Sequence, residues 1–346
     1  MKYWIVFILI SLLASGEIIY FGNQIISARK ASLESQLQAT LLSGALEVRE
    51  KGLGKSNLSL NSNLSLLFVG DIMLSRAVGR QMEKNDDYAF PFKLSSDFLK
   101  SADITFGNLE GPISNRGSNQ GSIYSFRANP KVAEGLNYAG FDVLSIANNH
   151  IWDWGKNALS DTLTILQNNN ITPVGAGENF NEANSIKIVN SEGLKIGFLA
   201  YTNLYPKSLE AEENEIGISQ FDVAGILKLV YSIKEKKEAD IVVVSLHWGN
   251  EYETNASQWQ KDLAHKLIDA GADIIAGHHP HVAQEMERYK DGVIFYSLGN
   301  FVFDQSFSKE TMEGMAGEVI LEGNKIKGVK TYKVSINQYF QPEIVK

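Results

Sequence analysis

The sequence predicts an α/β fold, a mainly parallel sheet covered by helices with antiparallel strands added at its flanks. Short apolar runs without polar alternation appear at residues 64–69, 103–106, 143–147, 241–246, 273–276 and 292–298, as in strands buried on both faces. Helical segments at 130–139, 156–168, 222–237 and 256–270 fall between several of them, so strands and helices alternate as crossover units do. The joints carry a third signal. Three helical segments end in Ala-Gly-Phe-Asp142, Lys-Glu-Ala-Asp240 and Ala-Gly-Ala-Asp273, where a helix stop is followed by an aspartate that opens a strand. Residues 185–190 and 194–202, joined by Ser191-Glu192-Gly193, predict a hairpin, and 318–321 with 329–336 around Gly323-Asn324 predict another. The expected result is two mixed sheets stacked face to face and flanked by helices.

Composition bounds the function classes. With 346 residues, 44% of them hydrophobic, the chain can bury one large core or two ordinary ones. A formal charge of −8 argues against a nucleic-acid-binding surface. The absence of cysteine excludes a disulfide scaffold, a thiolate nucleophile and a thiolate zinc site.

The amino terminus bears on location. Residues 3–22 form an apolar run whose only charge is Glu17, about the ~20 residues a bilayer-spanning helix needs. Lys2 and the free amine bias the leading side positive, which places the bulk of the chain away from the cytoplasm. A single-pass signal anchor over residues 1–25 is expected, with Ala14-Ser15-Gly16 leaving a cleavable signal peptide as the other reading. Residues 26–63 read as a stalk and flexible tether, rich in Gly, Ser and Asn from 52 onward, and residues 64–346 as the folded domain.

The chemistry gathers where apolar runs end. Gly70-Asp71 closes the first run; Asp71 is either a carboxylate delivered into a crevice or the N-cap of a helix beginning near Met73. Asn108 and Glu110 follow the second run, and their i, i+2 spacing puts both side chains on one face. Asn148-Asn149-His150 follows the third: an amide oxygen suits a metal shell, the imidazole suits general acid–base work, and Asp153 can cap the next helix or orient that ring. His247 ends the fourth run and is followed by Glu251; judged alone, it reads as a core histidine. His278-His279-Pro280-His281 changes that weighing, because packing has little use for three histidines in four residues after a buried strand. His279 and His281 can reach one ion or two neighbours, while His278 is expected on the opposite face, in a structural or outer role. Asn300 offers a further amide, and His265, inside a helical segment, reads as packing or surface. Hard and borderline ligands at consecutive strand ends are what an open α/β sheet needs to hold metal ions.

Seven ordered stretches, VGDIMLSR, FGNLEGPIS, FRANP, SIANNHIWDWG, SLHWGNEY, AGHHPHV and YSLGNFVFD, run from Val69 to Asp304. Together they resemble the CapA family of poly-γ-glutamate capsule synthesis proteins, within the metallophosphatase-like superfamily. The resemblance implies a metallophosphatase-like sandwich and a role in making, exporting or anchoring an anionic γ-glutamyl polymer, together with other capsule subunits. It implies Asp71, Glu110, Asn149, His247, His279 and His281 as ligands of one or two divalent ions (Mn, Zn, Fe or Mg), and His150 as the acid facing the leaving group. The sequence departs from the wider superfamily at Met73, where a histidine ligand follows the first aspartate, and at Glu110, which stands for a bridging aspartate.

The function expected is a membrane-anchored, metal-dependent hydrolase or transferase. Arg76 and Arg127 are candidates to pair with an anionic substrate, and Asn108, Glu251 and Asn300 to complete its binding. The alternative is a non-catalytic polymer-binding or scaffold subunit of an envelope export complex.

Overall fold

The computed structural model describes residues 63–345. The expected anchor and stalk lie outside these residues, apart from Asn63. Among the described residues no helix is long and apolar enough to cross a membrane.

Four strands, β1 (Asn63–Ile72), β2 (Ile104–Leu109), β3 (Val143–Ser145) and β4 (Thr172–Val174), pair in parallel in that order. Helices α1 (Arg76–Asn85), α2 (Ser96–Leu99), α3 (Val132–Ala139) and α4 (Lys156–Asn168) fill the crossovers. After β5 (Ala176–Gly177) and α5 (Phe180–Asn184), β6 (Lys187–Ser191) and β7 (Leu194–Thr202) make the first expected hairpin. The short β8 (Gly217–Ile218) pairs back onto β5. A second sheet then grows from β7. Through α6 (Val223–Glu235) and α7 (Gln258–Asp269) the chain adds β9 (Ile241–His247), β10 (Ile274–His278) and β12 (Gly292–Phe295) in parallel, with β11 (Met286–Tyr289) antiparallel at the edge. Finally, on the side of β1 away from β2, β13 (Asn300–Val302) lies parallel to the end of β1, and β14 (Glu313–Glu322) pairs antiparallel with its earlier part, followed by β15 (Lys325–Ile336) and β16 (Pro342–Val345).

The period of two along each buried strand separates the layers. Leu66 and Phe68 of β1 pack between the sheets with Phe198, Val243 and Ile274. Their neighbours Leu67 and Val69 face Val78, Leu136 and Leu159 on α1, α3 and α4. On the second sheet Val242, Val244 and Ile275 pack against Val230 and Leu267 of α6 and α7. The result is four layers: helices, sheet, sheet, helices.

The aspartates that open strands have one job in common. Asp103, Asp142, Asp240 and Asp273 accept from the backbone N–H of Ser65, Thr105, Lys195 and Val242, on the preceding strand, at 2.7–2.8 Å. Each also donates its own N–H to the carbonyl of that same residue. A first-rung amide that would lack a partner is thereby satisfied, and the register of each parallel pair is fixed where it begins.

Two expectations are corrected at the end of β1. Asp71 is a strand residue, not a helix cap; the helix that follows starts at Arg76 behind Ser75. The run at 292–298 ends as a strand at Phe295, and the chain turns through Gly299 to return beside β1. That return requires Gly70: a Cβ there would stand 1.9 Å from the Gly299 carbonyl oxygen.

Candidate metal centre

Both sheets deliver their chemistry to one end, the carboxyl ends of β1, β2, β9 and β10. Asp71 comes from the tip of β1, Asn108 from the end of β2, with Glu110 just beyond it, and His247 from the tip of β9. His278 ends β10, and His279 and His281 lie in the turn that follows. All seven are buried. His279 and His281 adopt φ of 95° and 59°, a left-handed backbone that side-chain-bearing residues avoid. Strain of this kind, of order 1–3 kcal/mol per residue, persists where surrounding contacts hold it, commonly at functional sites.

Amides brace the charged groups. Asn108 Nδ2 donates to Asp71 Oδ1 at 2.8 Å and to Glu110 Oε2 at 2.5 Å. Asn148 Nδ2 donates to Asn108 Oδ1 at 3.1 Å and to the Leu109 carbonyl at 2.7 Å. Asn300 accepts from His281 Nδ1 at 3.0 Å and donates to the Thr311 carbonyl at 2.9 Å. Asn108 and Asn300, expected on the substrate side, are therefore buried struts. His278 also departs from expectation. Its Nδ1 sits 3.3 Å from Asp71 Oδ1, so the ring backs the carboxylate rather than facing away.

Two groups of ligand atoms result. Asp71, Glu110 and His247 place one donor atom each within 4.8 Å of one another, and so do Glu251, His279 and His281. Asn149 joins the first: its Oδ1 lies 2.8 Å from His247 Nε2, which is 3.5 Å from Glu110 Oε1. Asp71 Oδ2 also lies 3.4 Å from His281 Nδ1, the ring nitrogen that faces Asn300.

Several of these buried atoms lack partners. Glu110 Oε1, His279 Nδ1 and both ring nitrogens of His278 make no hydrogen bond, although such atoms are rarely left unpaired. Burial pushes the Glu110 carboxyl well above its usual range, and the Asp71 charge adds to the effect. Burial raises Asp71 too, but His278 and His281 outweigh it and hold that carboxyl well below its usual range. Burial, with repulsion from His279, holds His247 well below the usual histidine value, and burial with His281 takes His279 down to about 3. Both rings are therefore neutral near pH 7 and have lone pairs to give. Unpaired carboxylate and imidazole donors in one buried pocket fit a borderline divalent cation.

His150 stands at the mouth. Its Nδ1 lies 2.8 Å from Asp153 Oδ2, which also accepts from Phe126 N at 2.8 Å. The Phe126 ring covers the imidazole at 4.0 Å between centroids. A cleft of about 150 Å³ opens beside it, lined by Arg76, Tyr124, Glu251, Tyr252, His281 and Asp304 among others. Arg76 Nη2 lies 3.3 Å from Asp304 Oδ1. Arg127 lies elsewhere: its guanidinium stacks 3.5 Å from the centroid of the Trp154 ring and lines a neighbouring hollow. His265 is a packing residue, stacked on Tyr289 at 3.8 Å.

Sequence reading missed the aromatic and acidic lining, namely Tyr124, Phe126, Tyr252 and Asp304. Nothing about an isolated aromatic or acid says that it faces a cleft. The available signal was position, since Phe126 lies in FRANP and Asp304 ends YSLGNFVFD.

The profile of the family described as bacterial capsule synthesis protein PGA_cap matches residues 65–305, which include every candidate ligand. Capsule biosynthesis protein CapA of Bacillus anthracis is 38% identical over 257 residues, 72% of this chain and 62% of that protein. PGA biosynthesis protein CapA of Bacillus subtilis (strain 168) is 36% identical over 252 residues, 71% of this chain and 65% of that protein. The chain thus spans less than two thirds of the length of these curated relatives. Among solved structures, a hypothetical protein from Thermus thermophilus matches with a TM-score of 0.50 and 17% identity, over 78% of this chain and 98% of that one. That is a likeness of fold alone.

Proposed function

We propose a function from one premise: the chain belongs to the PGA_cap family of bacterial capsule synthesis proteins. We read it as a metal-dependent hydrolase or transferase that works on an anionic envelope polymer of the poly-γ-glutamate type. One observation carries this reading. Asp71, Glu110, Asn149 and His247 converge on one pocket from separate strand ends, and Glu110 Oε1 is left there buried without a hydrogen-bond partner. Asp71, Glu110, Asn149 and His247 would hold one ion, and His279 and His281 a second.

A divalent ion bound there supplies Lewis-acid polarisation of a phosphoryl or acyl oxygen and lowers the pKa of water toward neutrality. The chain's own residues do the rest. Asp153 fixes the His150 ring through Nδ1, leaving Nε2 to hand a proton to the departing group. Phe126 covers one face of that ring and keeps bulk water from it. Arg76, at the cleft wall, pairs with a carboxylate or phosphate of the substrate. The apolar run at residues 3–22 supports a single-pass signal anchor that holds the domain outside the cytoplasm, where such a polymer is exported.

The test uses the purified full-length chain, stripped with chelator and reloaded with Mn, Zn, Fe or Mg in turn. Turnover of a phosphodiester or a γ-glutamyl peptide that depends on one of these metals is the expected result. A second reading, a polymer-binding scaffold, draws on Met73 in the place of a superfamily ligand. Polyglutamate binding without turnover under any metal would decide for it.

A further inference from the structure

We propose that Glu251 is a metal ligand, completing an outer cation site with His279 and His281 in place of the histidine that Met73 displaces. The inference rests on the metal-centred reading above and names the residue that reading leaves without a role in the second site.

The place of the missing ligand is closed. Met73 is buried, and its sulfur accepts from Ser75 N at 3.2 Å and from Ser75 Oγ at 3.1 Å. It thus packs into the start of α1, and its weakly donating thioether is already engaged there. With that position lost, His279 and His281 supply two imidazoles and no carboxylate of their own.

Glu251 makes up the deficit from the other side. Its carboxylate, His279 and His281 bring three donor atoms within 4.8 Å of one another. His281 Nδ1 is tied to Asn300 Oδ1 at 3.0 Å, so its Nε2 is the donor that remains. His279 Nδ1 is buried without any partner. The approach of Glu251 is built in. Trp248 N donates to the His278 carbonyl at 3.1 Å and Tyr252 N to the Pro280 carbonyl at 2.8 Å, stitching the segment after β9 to the His-His-Pro-His turn on both sides of Glu251. Gly249 and Tyr252, at φ of 86° and 66°, let the segment turn back over the histidines. Two imidazoles and one carboxylate with open positions are a donor set that Zn, Fe and Mn accept.

The two sites also differ in access. Asp71, Glu110 and His247 are all buried, whereas Glu251 is exposed. The inner ion is therefore held tightly, and the outer one exchanges through the cleft.

Metal content separates this proposal from its parent. The full-length chain is dialysed against Mn²⁺ and the bound ions are counted, for the wild type, Glu251→Gln and His247→Ala. The expected result is two ions in the wild type and one in Glu251→Gln, with the remaining ion as tight as the tighter wild-type one. Co²⁺ loading gives a second readout: the visible absorption added by the second equivalent should vanish in Glu251→Gln and the first should persist. Two ions of unchanged affinity in Glu251→Gln would overturn the ligand role and leave a two-metal centre standing. A single wild-type ion, lost in His247→Ala and kept in Glu251→Gln, would overturn the outer site alone. No bound ion in the wild type would overturn the parent reading and this one with it. Because Glu251 is exposed, the variant should fold, and an unchanged melting temperature of the metal-stripped proteins checks that it does.

Discussion

His150 and Asp153 meet through one bond of 2.8 Å, Nδ1 to Oδ2, across a single turn of chain. The same carboxylate oxygen receives Phe126 N, so the acid that orients the imidazole also anchors the aromatic ring that covers it. Neither residue belongs to the two groups of converging ligand atoms.

Turnover and metal content should therefore part company. His150→Ala is expected to lower kcat by about 10²–10⁴-fold, the range for loss of a positioned acid or base, with bound metal unchanged. Asp153→Asn should lower kcat as well, because an amide can turn its N–H toward Nδ1 and favour the wrong tautomer. Steady-state kinetics alongside elemental analysis of the same samples checks both. Metal loss in His150→Ala would move that residue into the ligand set.

Most of this geometry was legible in the sequence, for a physical reason. A strand buried on both faces has no cause to end in Asp, Asn or His unless the strand end does something, so the ligand candidates stood out against apolar runs. Asp142, Asp240 and Asp273 were legible in the same way, as acids following helix stops, although their partners were not. Direction within a turn was not legible. His278 was expected to face away because alternation is the rule in extended chain, but the backbone at His279 leaves the extended region at φ 95° and alternation fails there. Asn108 and Asn300 looked like substrate contacts, since an amide at a strand end has no sequence mark separating a strut from a recognition group. The cleft lining belongs to segments far apart in the chain, and only tertiary structure brings them together.

The strand-opening aspartates carry a pH signature. Burial raises the Asp142 carboxyl above its ordinary 3.8, with the hydrogen bond from Thr105 only partly opposing it. The folded chain then keeps this proton at a pH where the unfolded chain has lost it. Its contribution to stability is complete below the unfolded value and is lost as pH rises through the folded one. Asp142→Asn cannot titrate, and its amide oxygen can still accept from Thr105. The stability of wild type relative to this variant should therefore be greater near pH 3.5 than near pH 7, as read by urea unfolding at both. A difference that stays constant with pH would show that Asp142 titrates alike in the folded and unfolded chain.

Gly70 sets the position of Asp71. A methyl group at residue 70 would meet the Gly299 carbonyl oxygen at 1.9 Å, and backbone cannot yield as a side chain does. Asp71 N donates to that same oxygen at 2.9 Å, so relief of the clash moves the carboxylate. Gly70→Ala should cost about 1–3 kcal/mol, the usual range for overpacking, and should weaken metal binding beyond what the stability loss explains. Thermal melts with and without added metal separate the two effects, because the increment from bound metal should shrink in the variant.

The two arginines expected to meet an anionic substrate should now behave differently. Arg76 lines the cleft beside His150, and its partner Asp304 lies 3.3 Å away. Arg127 is committed to the Trp154 face at 3.5 Å and is not among the residues lining the cleft. A hydrogen bond to a charged group is worth about 1.5–3 kcal/mol, so Arg76→Ala should raise KM for an anionic substrate by roughly ten- to a hundredfold. Arg127→Ala should leave KM within about twofold, since it removes stacking on Trp154 outside the cleft. Added salt should weaken substrate binding in the wild type more than in Arg76→Ala, because screening acts on the charge pair that the variant lacks. Equal KM values for the two variants would place the anion elsewhere on the cleft wall.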